Sequence, residues 1–178
     1  MNVATVIGLG NPDRGDDAIG LLVVRQLARL LPSEVRVIER GGDALALLQD
    51  WSVAPCSIVV DAARGTGGAG AIHRIDLQRD VLPPALRVAS THAVGLADAI
   101  RLARTLGLLP ACAVLYAIEG GYFGLGHPVS RIVRVAGQTV IARVRADIAR
   151  WRSDGLTGFT DTGCTISRPP DSAVDAGR

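Results

Sequence analysis

Three side chains combine reactive chemistry with a telling position. Asp17 follows the first apolar run and its closing turn, Gly8-Leu9-Gly10-Asn11-Pro12. Asp61 closes the apolar run Ser57-Ile58-Val59-Val60, and His92 follows the strand-like Val88-Ala89 at the start of a helical pattern. Two carboxylates and an imidazole converging from three loops suit a divalent transition metal such as nickel or zinc, with coordination positions left open. The same trio can instead do acid–base work on a water molecule. Each member also has a plain structural alternative. An aspartate at a helix start complements the helix dipole, one after a strand forms a turn, and a histidine beside a helix start serves as a satisfied near-cap residue.

The trio gains weight from the elements that must carry it. Residues 3–9 read as a strand running into a turn. From Asp16 the pattern is helical, with Ile19, Leu22, Val23, Leu27 and Leu30 on one face and Pro32 as the stop. A second strand fits 35–39, a break follows at Gly41-Gly42, and a short helix is expected around 44–49. The run 57–61 is apolar until its acidic end, the signature of a strand buried on both faces of a parallel sheet. A glycine-rich turn at 65–70 precedes a strand at 71–76. A helix over about 93–106 is expected, N-capped by Ser90 or Thr91 and closed by Gly107 at C′. A strand at 113–118 and a helix at 129–150 complete the pattern; Val133, Ala136, Val140, Val144 and Ile148 form the helix's apolar stripe.

Strands separated by helices predict an α/β fold, a three-layer sandwich with a mostly parallel, roughly five-stranded twisted sheet. Ligands of such sheets bind beyond the carboxyl ends of the strands, where Asp17, Asp61 and His92 all fall. Residues 1–152 are expected to form this one domain. Residues 153–178 are polar, rich in Gly, Thr, Asp and Pro and without periodicity, and are expected to form a flexible tail.

Composition narrows the chemistry. The 178 residues are 48% hydrophobic and 20% charged, ample for a core and too uncharged for a disordered chain. All nineteen basic residues are arginine, so lysine Schiff bases and Walker-type phosphate loops are excluded. A net charge of +2 is too small to mark a nucleic-acid or membrane surface. The arginines of the last helix, among them Arg131, Arg134, Arg143 and Arg145, read as its solvated face. Cys56, Cys112 and Cys164 show no close pairing, which argues against a disulfide framework or zinc knot; Cys56 and Cys112 read as small buried hydrophobes. With no signal-peptide pattern and no apolar run near the ~18 residues of a membrane helix, a soluble, cytoplasmic protein is expected, and by default a monomer. Gly8-x-Gly10 hints at dinucleotide binding, but Asp13 stands where the third glycine belongs.

Several separated motifs resemble one family. Gly8-Leu9-Gly10-Asn11 followed by Gly15-Asp16-Asp17-Ala18-Ile19-Gly20 resembles the opening of the nickel–iron hydrogenase maturation proteases, a G-x-G-N turn, a spacer, then an acidic pair and glycine. Val59-Val60-Asp61-Ala62 resembles the family's strand ending in Asp, and Ser90-Thr91-His92-Ala93-Val94-Gly95-Leu96 its histidine segment. Gly124-Leu125-Gly126-His127-Pro128-Val129 stands where the family turns before its last helix.

The resemblance implies a single-domain α/β endopeptidase that removes a short C-terminal extension from the hydrogenase large-subunit precursor after nickel insertion. It implies that Asp17, Asp61 and His92 are the site residues, contacting nickel carried by the precursor, with no tightly bound cofactor in the free protein. Gly10, Asn11 and Asp16 of the first motif, and Gly41, Gly42 and Asp43 of a second, take its turn and substrate-recognition positions. Two departures stand out. The family often has Glu at the position of Asp17, so the shorter carboxylate reaches less far. Its usual Asp-Gly-Gly-Thr segment reads Arg40-Gly41-Gly42-Asp43, reversing the first charge and adding an acid at the end.

Two other readings compete. A nickel-dependent binding or assembly protein would use the same trio without cleavage. The opening G-L-G-N-P also resembles peptidyl-tRNA hydrolase, but that family's early T-R-H-N histidine segment is missing and the chain has little of the net positive charge that tRNA binding calls for.

Overall fold

The computed structural model describes residues 3–41, 45–83 and 95–153. Five strands form one sheet: β1 (Ala4–Leu9), β2 (Val35–Arg40), β3 (Cys56–Ala63), β4 (Ile72–Asp76) and β5 (Cys112–Glu119). Their order is β2-β1-β3-β5-β4; the first four run parallel, and β4 pairs antiparallel with β5 at one edge. Helices α1 (Ile19–Leu27) and α4 (Arg131–Ser153) cover one face, and α2 (Ala46–Ser52) and α3 (Leu96–Leu106) the other. The expected three-layer sandwich is the observed one.

Alternation along the strands explains the layers. Val6, Ile58, Val60 and Val114 turn toward α1 and α4, while Ile7, Leu9, Val59 and Leu115 turn toward α2 and α3. Both β3 and β5 are buried at every position, as the apolar runs predicted, with Cys56 and Cys112 in register and inside. All five stripe residues of α4, from Val133 to Ile148, are buried. That helix is rich in β-branched residues and contains Gly137, so packing rather than propensity holds it.

Three local expectations need correction. The segment carrying Asp16 and Asp17 is a 3-10 turn, Gly15–Ala18, with the α-helix beginning only at Ile19. Leu30 lies beyond the end of α1 and is half exposed, whereas Leu21 and Val24 are buried because α1 is wedged between the sheet and α4. The N-cap of α3 is Gly95, not Ser90 or Thr91: its backbone is extended and its carbonyl accepts the first helical bonds, from Asp98 and Ala99. Gly107 does close α3 in the left-handed conformation, at φ 66°.

A buried polar cluster clasps the β4 edge to α4. Tyr116 Oη–H donates to Asp147 Oδ2 at 2.7 Å, Arg74 Nε–H to the same oxygen at 3.1 Å, and Arg150 Nη2–H to Oδ1 at 2.7 Å. Burial and the Asp147 charge together push the Tyr116 phenol well above its ordinary range. Among the described residues no helix is long and apolar enough to cross a membrane.

Candidate functional site

Chain order departs in opposite directions from β1, to β2 on one side and later to β3 on the other. Such a switch point opens a crevice at the carboxyl ends of the two strands. Asp17 hangs over it from the β1–α1 connection, and Asp61 from the end of β3.

Gly10 makes the first position possible. Its φ of 143° suits glycine, and a side chain there would overlap the Asp17 carbonyl oxygen. Asn11 then does two things: its N–H donates to Asp17 Oδ2 at 3.0 Å, and its Oδ1 accepts from Asp13 N–H at 2.9 Å to close the turn.

Asp16 looks the other way. Its Oδ2 accepts from Gly121 N–H at 2.8 Å and Tyr122 N–H at 3.0 Å, and its Oδ1 from Ser130 N–H at 2.7 Å. Burial pushes this carboxyl up, but the N–H bonds from Ser130, Tyr122 and Gly121 more than offset it and leave it below its ordinary value. The acidic pair therefore divides its labour: Asp16 ties the β5–α4 loop to the β1–α1 loop, and Asp17 is left for the crevice.

Asp17 and Asp61 are both buried, and no arginine or histidine pairs with either among the described residues. Burial, and then the negative charge of Asp17, push the Asp61 carboxyl up to about 7, against a weaker opposing pull from the Ala62 N–H at 2.8 Å. A carboxyl in this state can hold its proton near neutral pH or release it to a cation. Asp61 also lines a small cleft with Ala63, Ala117, Leu115, Leu82 and Leu96.

His92 lies outside the described residues, as do Gly42 and Asp43. Gly41 is exposed, beside Arg40, whose carbonyl accepts from Gly10 N–H at 3.2 Å and so joins the β2 end to the site loop. The reversed charge of Arg40 has a local partner. Its guanidinium forks onto the buried Asp50 carboxylate of α2 at 2.9 and 2.8 Å. Among the described residues no three His, Cys, Asp or Glu side chains gather closely enough to hold a metal ion.

Two further polar residues stand on the Asp61 face of the sheet. Glu119, at the end of β5, is buried, and its Oε1 lies 2.7 Å from Nε2 of His73 on β4. Sequence reading passed over both. Glu119 had the same signal as Asp61, an acid closing an apolar strand, but a histidine inside a short edge strand carries none.

A family model described as hydrogenase maturation protease matches residues 21–146, a span that includes Asp61 and His92 and begins after Asp17. The fold is similar to the solution structure of an endopeptidase from Escherichia coli, with a TM-score of 0.71 and 25% identity over 85% of this chain and 94% of that one. It is similar also to the hydrogenase maturating endopeptidase HybD from E. coli (TM-score 0.65, 22% identity, 85% and 93% covered). A third likeness is to the [NiFe] hydrogenase maturation protease HycI from Thermococcus kodakarensis (TM-score 0.65, 23% identity, 82% and 91% covered). No curated protein sequence matches the chain.

Proposed function

The chain belongs to the hydrogenase maturation protease family and is a peptide hydrolase, and we propose that it removes the C-terminal extension of a nickel–iron hydrogenase large-subunit precursor after nickel insertion. In this reading Asp17, Asp61 and His92 contact nickel that the precursor carries, and the precursor supplies the remaining ligands. The metal is part of the substrate, so the protein needs no resident cofactor.

The observation that carries this reading is the Asp17–Asp61 pair. Two buried carboxylates with no cationic side chain paired to them among the described residues form an electrostatic deficit, visible in the raised Asp61 carboxyl, that a divalent ion relieves. Chain length supports including His92. It precedes Leu96 by four residues, a reach of at most about 14 Å, and Leu96 lines the Asp61 cleft. Hard oxygen and borderline nitrogen donors of this kind suit nickel. Gly10, Asn11 and Asp16 position Asp17, and Gly41, Gly42 and Asp43 are assigned to substrate recognition. Action on a protein partner, without nucleic acid or membrane, fits the net charge of +2, and the protein is taken to work as a cytoplasmic monomer.

Intact-mass spectrometry of a cognate nickel-loaded precursor, beside a nickel-free control, tests it. Loss of a discrete C-terminal peptide only from the loaded precursor is expected. Equal cleavage of both removes metal recognition from the trio, and no cleavage of either points to a binding protein instead.

A further inference from the structure

Asp61, Ala117 and His73 lie in one row across the sheet. Asp61 on β3 and His73 on β4 are both register partners of Ala117 on β5. Register partners share a face, and two strand spacings put the Asp61 and His73 Cα atoms about 10 Å apart. The side chain between them is only a methyl group. The row therefore has a carboxylate at one end and an imidazole at the other, with a buried methyl between them that lines the Asp61 cleft beside Leu82 and Leu96.

His73 is oriented as a base would be. Its Nε2 lies 2.7 Å from Glu119 Oε1, an oxygen that also accepts from Gly67 N–H at 3.2 Å. In the neutral tautomer that donates to this carboxylate the ring proton sits on Nε2, which leaves a lone pair on Nδ1. Nothing among the described residues bonds that Nδ1, and His73 remains about one-third exposed. The Gly65 stretch of the loop after β3 presses on Glu119 so closely that a side chain at Gly65 would overlap the carboxylate. The loop leaving Asp61 thus also fixes the partner of His73.

We infer that His73, oriented by Glu119, is the proton carrier of peptide hydrolysis, acting from the same face of the sheet as Asp61. Nδ1 takes a proton from water as the water oxygen bonds to the carbonyl carbon. It returns that proton to the leaving nitrogen as the C–N bond breaks, so water and peptide become acid and amine with nothing left over. Glu119 is the positioning residue. Among the described residues the charged groups on this face of the row are Glu119 on β5, in contact with the imidazole, and Asp61 on β3; Arg74 beside it points to the opposite face, toward Asp147. The inference rests on the trio reading for the opposite wall of the site.

Cleavage kinetics with a nickel-loaded precursor test it. His73→Ala is expected to lower kcat by about 10²–10⁴-fold with KM little changed, and added imidazole is expected to restore part of the rate. His73→Gln keeps an N–H for Glu119, and with it the β4–β5 clasp, yet is expected to stay as slow. Wild-type kcat in either variant, or recovery by Gln alone, would overturn the inference by reducing the pair to a clasp. Failure of the trio reading looks different: Asp61→Asn stays active, or nickel-free precursor is cleaved.

Discussion

The charge of Asp17 adds to burial in holding the Asp61 carboxyl near neutrality, although the two residues arrive from different strands and stand 44 positions apart in the chain. Below about pH 4 the carboxyl is protonated both folded and unfolded. Between about 4 and 7 the folded protein keeps a proton that the unfolded chain gives up, so stability falls as pH rises through that window. Asp61→Asn is therefore expected to stabilise the protein at pH 8, by up to about 4 kcal/mol, and hardly at all at pH 4. Urea denaturation of both proteins at the two pH values checks this; equal gains at both would break the link to ionisation.

Asp16 holds three backbone N–H groups that have no other acceptor in the loop. Asp16→Ala is expected to cost about 3 kcal/mol and to slow cleavage by loosening the loop that carries Asp17. Asp16→Asn, which keeps an acceptor oxygen, is expected to cost less. Denaturation midpoints of the pair, read beside cleavage rates, decide whether the residue acts through the scaffold.

Gly10→Ala forces a methyl group into the Asp17 carbonyl at a backbone angle that suits only glycine. A loss of about 2–3 kcal/mol is expected, together with most of the activity. A fully active, equally stable variant would mean that the turn is not held as described.

Arg40 tests how the chain absorbed a reversed charge. Arg40→Asp alone places a carboxylate against the buried Asp50 and is expected to cost about 3–5 kcal/mol. Adding Asp50→Asn is expected to recover a large part, a non-additivity that a double-mutant cycle measures directly.

Tyr116→Phe is the control away from the crevice. It removes one donor to Asp147 while Arg74 and Arg150 stay, so a loss of about 1 kcal/mol and unchanged cleavage are expected. A large fall in cleavage would tie the cluster to the site.

Much of this was legible in the sequence because periodicity reports burial. The unbroken apolar run before Asp61 announced a strand with both faces covered, and the spacing of Val133 to Ile148 announced the face of α4. Local chemistry sufficed for Gly10, Asn11 and Gly107, whose neighbours along the chain set their task. Whatever depends on elements meeting in space was hidden. Asp16 and Asp17 look interchangeable in sequence, and only the β5–α4 loop, more than 100 residues away, separates staple from site residue. The same holds for His73 and Glu119, which meet because β4 turns back along β5.

The reversed β4 also settles what the sheet offers to other chains. It is only five residues long, largely half-exposed, and carries His73, Arg74 and Asp76, so it makes a poor template for a foreign strand. Remove it and the border becomes β5, eight residues long and apolar at all but its last position. The short charged strand thus shields the chain against edge-to-edge aggregation, and variants that loosen it, at Arg74 above all, are expected to expose a longer apolar border.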